Sequence, residues 1–285
     1  MANPLQQYFR QPSLYLKLPT LGKWYKNKEV TGSDDSEIPI FGLSAIDDVM
    51  LNTPDAMLNG RALETVIKNC APDVKNVKKL MVPDIEAIFL GIKIATTGGK
   101  YDLDRICPKC GHENTFEVSC DNLLQALTYV EDSDSIVNIN NELEVRIKPY
   151  TLEMRQSFIH KQFDEDRMLK SIDSQNKDLD DFQKSDILGK SVENLTRITF
   201  NLVAKSIESV KLIKQGIEVD DEQNIAEWLV NIPKLQADIV INAVNKLNEV
   251  GVNKKVAATC EKCNHSWEDT LNFDPTSFFQ LRSKP

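Results

Sequence analysis

The chain carries two copies of one short cysteine knuckle, Cys107-Pro-Lys-Cys110 and Cys260-Glu-Lys-Cys263, placed far apart in 285 residues. Each sets two thiols on a tight turn, and four thiolates form a ligand set that suits a tetrahedral zinc ion, with Zn–S distances of about 2.3 Å. If both knuckles hold one ion, the stretch between them is an insertion fastened at both ends. All four positions of the metal are then filled by protein, which predicts a structural Zn2+ with no open site for water or substrate. Tyr101–Ile106 and Asn114–Val118 read as strands around the first knuckle, and Val256–Thr259 and Trp267–Phe273 as strands around the second. That is the plan of a zinc ribbon.

Other readings of the cysteines stay open at this point. Each knuckle has a histidine two residues past its second cysteine, His112 and His265, so three cysteines and one histidine form an alternative ligand set. C-x-x-C also occurs as a redox pair in thioredoxin-like folds, and four unliganded thiols are a third reading. Two copies with polar flanks favour zinc, and a reducing compartment favours metal over disulfides. Cys70 and Cys120 read as small buried hydrophobes.

Charge and hydropathy narrow the function classes. With 43 acidic against 34 basic residues the net charge is −9, the opposite of the balance usual in a nucleic-acid binder. Neither knuckle offers clustered positive charge. Residues 100–119 set Lys100, Arg105 and Lys109 against four acids, and residues 254–270 are balanced. Nucleic acid is therefore not the expected partner, although a zinc-ribbon adaptor for it is retained as an alternative function. Residues 1–30 carry five basic side chains, Arg10, Lys17, Lys23, Lys26 and Lys28, against Glu29, which suggests a basic arm. No run approaches the ~20 apolar residues of a membrane span. Met1–Arg10 lacks the apolar core of a signal peptide, so synthesis in the cytosol is expected.

Periodicity gives the coarse elements. Ser13–Leu18 alternates as a strand ended by Pro19, and Thr31–Ser36 reads as a loop before a second strand over Ile38–Leu43. Ser44 caps a helix through Asp47, Asp48 and Leu51, and another helix runs from Pro54 to about Cys70. Pro83 opens a third, with Ile85, Ile88, Phe89 and Ile92 as its apolar stripe and Gly98-Gly99 as its stop. A helix is expected over Asp121–Val130, then a hairpin turning at Asn140-Asn141. From Thr151 the pattern is helical, with Val192, Leu195, Ile198, Leu202, Val203, Ile207, Val210 and Ile213 at helical spacing. Asp164–Asp186 is acidic and polar, a linker or solvated helix. Asp221–Val230 and a helix opened by Pro233, with Leu235, Ile239, Ala243 and Leu247 at i, i+4 intervals and Gly251 at its end, follow. Pro275–Leu281 reads as a helical turn carrying Phe278 and Phe279.

Catalytic patterns are absent from the sequence. Gly189-Lys190-Ser191 looks like the end of a phosphate loop, but Lys184 stands where that loop requires glycine. There is no H-E-x-x-H and no G-x-S-x-G. Three histidines occur, and His160 falls on a helix surface. No enzyme is expected.

Asn3-Pro-Leu-Gln-Gln-Tyr-Phe-Arg-Gln-Pro-Ser-Leu-Tyr-Leu-Lys-Leu-Pro19 with Gly22-Lys-Trp-Tyr25, Leu51–Gly60, Val82–Ile85 and Ile94–Thr96 occur in that order. As a set they resemble the T4-like bacteriophage baseplate protein family, most clearly over residues 1–150. The resemblance implies a baseplate hub subunit or a factor that helps the hub assemble. It also implies other phage baseplate or tail proteins as partners, with no membrane and no catalytic residues. Such a protein is made in the host cytoplasm and is either retained in the virion or, as an assembly chaperone, absent from it. Tyr8, Phe9, Tyr15, Trp24 and Tyr25 are suited to anchoring an interface, or to packing on the protein's own sheet.

These readings predict an α+β protein with a split four-cysteine zinc ribbon and a helical insertion between the knuckles. Residues 1–99 form a mixed strand and helix domain and 100–120 the first ribbon half. Residues 121–150 form a helix and β-hairpin, 151–253 the helical insertion, and 254–285 the second ribbon half and tail.

Overall fold

The computed structural model describes residues 4–31, 37–51, 61–175 and 181–271. The expected loop over 32–36, the helix start after Pro54, the middle of the acidic segment and the Phe278–Phe279 turn lie outside those residues. The fold is α+β, and the chain divides into two compact units, Met1–Val130 with Glu249–Pro285, and Glu131–Asn248.

In the first unit, β1 (Leu14–Lys17) pairs antiparallel with β2 (Glu37–Ile40), Leu14 opposite Ile40 and Lys17 opposite Glu37. Alternation sends Leu16, Ile38 and Ile40 inward and leaves Tyr15 outside. Helix α1 (Ala45–Leu51) starts where Ser44 and Asp47 exchange side-chain and backbone hydrogen bonds, a reciprocal cap. Helices α2 (Arg61–Cys70) and α3 (Val82–Thr97) follow. Pro83 sits in the first turn of α3 and Gly98, at φ 78°, ends it. A single inward stripe was expected here, but Val82 through Lys93 are all buried, so α3 is the central helix of this unit. Its neighbours come close: a Cβ on Gly42 would stand 2.6 Å from the Ala95 carbonyl oxygen.

Of the expected basic arm, Arg10 is folded back. The Arg10 guanidinium reaches Asp47 Oδ2 at 2.9 Å and the Asn69 carbonyl at 2.9 Å, and it also donates to the Gly42 carbonyl. Asp47 is fully buried. Burial would push its carboxyl up, but hydrogen bonds from Asn69 and Ser44 and the Arg10 charge hold it below the ordinary carboxylate value. The aromatic side chains divide as well. Trp24 is buried and the Tyr25 hydroxyl enters the core, whereas Tyr8, Phe9 and Tyr15 are exposed.

Asp84, in the first turn of α3, is also fully buried. It accepts from the Thr20 N–H (2.9 Å), the Thr20 hydroxyl (2.6 Å) and the Tyr25 hydroxyl, which in turn accepts from the Met81 N–H (3.0 Å). Burial pushes the Asp84 carboxyl up to about 6 from an ordinary 3.8, against the hydrogen bonds from Thr20 and Tyr25. The folded state thus binds this proton more tightly than the unfolded chain, so Asp84 adds stability as pH falls through 6 toward 4 and disfavours folding above 6. Titration of the Asp84 side-chain carbon by NMR is expected to show a midpoint near 6. A midpoint at or below 4 would contradict this.

Strands β3 (Lys100–Ile106) and β4 (Glu113–Ser119) form a two-stranded ladder, and α4 (Cys120–Gln125) follows, capped by the Ser119 hydroxyl. The helix stops well short of Val130, because residues 126–130 are drawn onto Pro19 and Gly251. The Val130 N–H donates to the Pro19 carbonyl at 3.0 Å. Thr128 and Gly251 exchange hydrogen bonds of 3.0 and 2.9 Å.

The second unit begins with β5 (Ile136–Ile139) and β6 (Leu143–Ile147), joined at Asn140 and Asn141 with φ of 51° and 55°. Ile139 pairs with Leu143, so the turn spans residues 140–142, and its two left-handed positions are ones that Asn tolerates. Helices α5 (Leu152–Gln175) and α6 (Asp181–Lys205) come next, then β7 (Ile207–Leu212) and β8 (Ile217–Val219). The sheet order is β5-β6-β7-β8, all antiparallel. Helices α7 (Glu222–Asn231), capped by Asp221, and α8 (Lys234–Asn248) complete the unit.

One expectation fails here. Ile207, Val210 and Ile213 do not continue a helix. α6 ends at Lys205, and Ile207 begins a strand whose partner is β6. The inward face of α8 is Ala237, Val240, Val244 and Leu247, while Leu235 and Ile239 are exposed. In the acidic segment, the described parts are the end of α5 and the start of α6.

Candidate metal centre

The two knuckles are built alike. Ile106 and Glu113 close the β3–β4 ladder, and residues 107–112 turn between them. The Cys107 N–H donates to the His112 carbonyl at 2.8 Å, and the Gly111 N–H to the Cys107 carbonyl at 3.0 Å. Strands β9 (Lys255–Thr259) and β10 (Ser266–Thr270) repeat this around residues 260–265. There the Cys260 N–H donates to the His265 carbonyl and the Asn264 N–H to the Cys260 carbonyl, both at 2.9 Å. Gly111 and Asn264 hold the same place after the second cysteine, and both are left-handed, at φ 69° and 53°. Glycine and asparagine are the residues that accept that conformation at low cost.

The four sulfurs of Cys107, Cys110, Cys260 and Cys263 lie within 4.8 Å of one another, a cluster able to hold a metal ion. Two edges cross between knuckles, Cys107 to Cys263 at 3.7 Å and Cys110 to Cys260 at 3.6 Å. A tetrahedron with metal–sulfur bonds of about 2.3 Å has edges of about 3.8 Å, so the spacing fits zinc. Cys107 and Cys260 are buried, Cys263 is half-buried and Cys110 is exposed. The metal-sized cluster contains neither imidazole. His112 and His265 serve through their backbone carbonyls, and the His265 ring stacks on Trp267 at 6.1 Å.

Sulfur this dense cannot ionise independently. Desolvation opposes the Cys260 thiolate, yet N–H groups of Cys263 and Lys262 and the neighbouring thiols draw it down to about 6. The His112 N–H favours the Cys110 thiolate, but desolvation and the other three sulfurs push that thiol up to about 12. A divalent cation among them would reverse the repulsion and favour thiolate throughout.

The hairpins also touch directly. Asn114, 4% exposed, donates to the His112 carbonyl (2.9 Å) and accepts from the Glu261 N–H (3.0 Å), tying one knuckle to the other. No motif marks it in the sequence. Phe116 meets Trp267 edge-on at 5.9 Å, and Arg105 pairs with Asp269. The half-buried Lys254 reaches the buried Glu86 carboxylate of α3 at 3.0 Å. Ala258 and Leu271 are buried with the knuckle cysteines.

Other singled-out residues lie elsewhere. Cys70 and Cys120 are fully buried, and burial pushes both thiols up to about 11. Gly189–Ser191 lies inside α6 and forms no phosphate loop. His160 is exposed on α5. Among the described residues no helix is long and apolar enough to cross a membrane.

The profile of a family described as T4 bacteriophage base plate protein matches residues 12–280, nearly the whole chain. No curated protein matches, and no solved structure matches.

Proposed function

Because this chain belongs to the T4 bacteriophage base plate protein family, we propose that it is a non-enzymatic component of the baseplate hub of a contractile-tailed phage. It acts through contacts with other baseplate or tail proteins, either as a structural subunit or in assembly. Cys107, Cys110, Cys260 and Cys263 hold a structural Zn2+. The observation that supports this best is the convergence of four sulfurs from distant knuckles at tetrahedral spacing. Four sulfur ligands complete a zinc coordination sphere, so the ion joins the hairpins and leaves no position for a reacting group. The surrounding residues fit that task. The knuckle N–H groups orient the thiolates, Asn114 bridges the turns, and the Phe116–Trp267 contact packs the two hairpins together.

Synthesis in the host cytoplasm is part of this reading, and the finished tail is the expected destination. Quantitative mass spectrometry of purified virions, beside pull-down of tagged protein from infected cells, tests it. Recovery with tail proteins in both samples is expected. Recovery from lysates alone would support the second reading, an assembly chaperone absent from the mature virion. Failure to recover any tail protein in either sample would overturn both. Elemental analysis is expected to return one zinc per chain.

A further inference from the structure

Sulfurs of the two knuckles meet as two pairs, Cys107 with Cys263 at 3.7 Å and Cys110 with Cys260 at 3.6 Å. Each pair joins the first cysteine of one knuckle to the second cysteine of the other. Each also joins a buried sulfur to a reachable one, since Cys107 and Cys260 are buried while Cys110 is exposed and Cys263 half-buried. Closing either pair to a disulfide of about 2.05 Å moves each sulfur by only about 0.8 Å. The surroundings favour these pairs over others. Asn114 binds the N–H beside Cys260, and the Phe116–Trp267 and Arg105–Asp269 contacts align the strands behind the knuckles.

We infer, resting on the structural-metal reading above, that the cluster is also an oxidation site. Peroxide converts Cys107–Cys263 and Cys110–Cys260 into two disulfides, which replace the ion as the tie between the hairpins. The exposed Cys110 thiolate attacks hydrogen peroxide, the O–O bond breaks, and a sulfenic acid and hydroxide result, the hydroxide taking a proton to become water. The Cys260 thiolate then attacks the Cys110 sulfur. The S–S bond forms, the S–O bond breaks, and the departing hydroxide is protonated to a second water. Cys263 and Cys107 repeat the sequence.

For each bridge, two thiolates, one peroxide and two protons become one disulfide and two waters. The two sulfurs lose two electrons and the peroxide gains them. Only thiolate binds the metal, so the cluster gives up its ion as the bridges close. The bridges join positions 156 and 150 residues apart, and so take over a long-range closure from the ion. Bonds within a knuckle, Cys107 to Cys110 or Cys260 to Cys263, would leave the hairpins untied. A thiol reductant reverses the change. A part assembled in a reducing cytoplasm and released into an oxidising medium thus keeps its two hairpins joined in both.

The full chain carrying Cys120→Ser, loaded with zinc, is treated with about two equivalents of hydrogen peroxide. A chromogenic chelator reads the released zinc, and tryptic peptides of the alkylated, unreduced protein go to mass spectrometry. Lys109 and Lys262 stand between the cysteines of each knuckle, so trypsin puts all four on separate peptides. Peptides linking Cys107 to Cys263 and Cys110 to Cys260 are expected, with release of about one zinc per chain. The Cys260 and Asn264 amides should exchange within about 3-fold of the zinc form, whereas chelation without oxidation exposes them. Dithiothreitol with zinc should restore the starting mass and metal content. Links within either knuckle, sulfinic acids in place of disulfides, or zinc retained against peroxide would each overturn the inference. A chain purified without zinc would instead overturn the metal reading, and its peptide map would still decide the pairing.

Discussion

Cys107→Ser is expected to abolish the proposed zinc binding and free a hairpin that lies more than a hundred residues away in sequence. One lost thiolate leaves three sulfurs for an ion whose binding in small zinc domains supplies on the order of 10 kcal/mol. Without it, the hairpins are joined by Asn114, the Phe116–Trp267 contact and the Arg105–Asp269 pair. Two-stranded hairpins are marginal in isolation, so those contacts do not keep both closed. Zinc content is expected to drop to near zero under a mild chelator. The amides of Cys260 and Asn264, bonded within the far knuckle, should exchange at least about 100-fold faster. Chelation of the parent protein should give the same pattern, and Cys120→Ser should keep its metal. If the far knuckle stays protected while the near one opens, the two do not share an ion.

Arg10→Ala is expected to cost about 3 kcal/mol, because it leaves the buried Asp47 carboxylate without its cation. Ser44 and Asn69 still donate to that carboxylate, which keeps the loss toward the low end. The guanidinium also satisfies the Gly42 and Asn69 carbonyls, so Arg10→Lys recovers the charge and not the fork. Urea unfolding followed by amide exchange in α1 and α2 measures this. The Asp47 titration should also move up toward the ordinary carboxylate range. A variant within 0.5 kcal/mol of the parent would mean that the N-terminal segment is held by its other contacts alone.

What could be read from the residues was local. Two identical knuckle plans, the Asn140–Asn141 turn, Pro83 at a helix start and Gly98 at its end each carry their signal within a few positions. The Arg10–Asp47 pair spans 37 residues and the Asn114–Glu261 bond 147. Neither leaves a mark nearby, and Arg10, one of the basic residues from which an arm was expected, is drawn into a part-buried ion pair. At Ile207–Leu212 the apolar spacing fits a helix and a strand alike, and pairing with β6 decides between them. On α8, apolar residues crowd two adjoining faces, Leu235 with Ile239 and Val240 with Val244. Only the packing against β5 and its preceding turn shows which is inward. α3 was legible as a helix, but its burial on every side reflects neighbours supplied by three separate parts of the chain.

The exchange of hydrogen bonds between Thr128 and Gly251 makes the polypeptide leave and re-enter one unit at adjacent points. Between those two points in the sequence lies the whole second unit, Glu131–Asn248. Closing a flexible loop costs only about 0.6 kcal/mol more for each doubling of its length. A change in the length of Glu131–Asn248 therefore has little thermodynamic consequence for the sulfur-bearing body, so that an insertion there is expected to leave the knuckles closed.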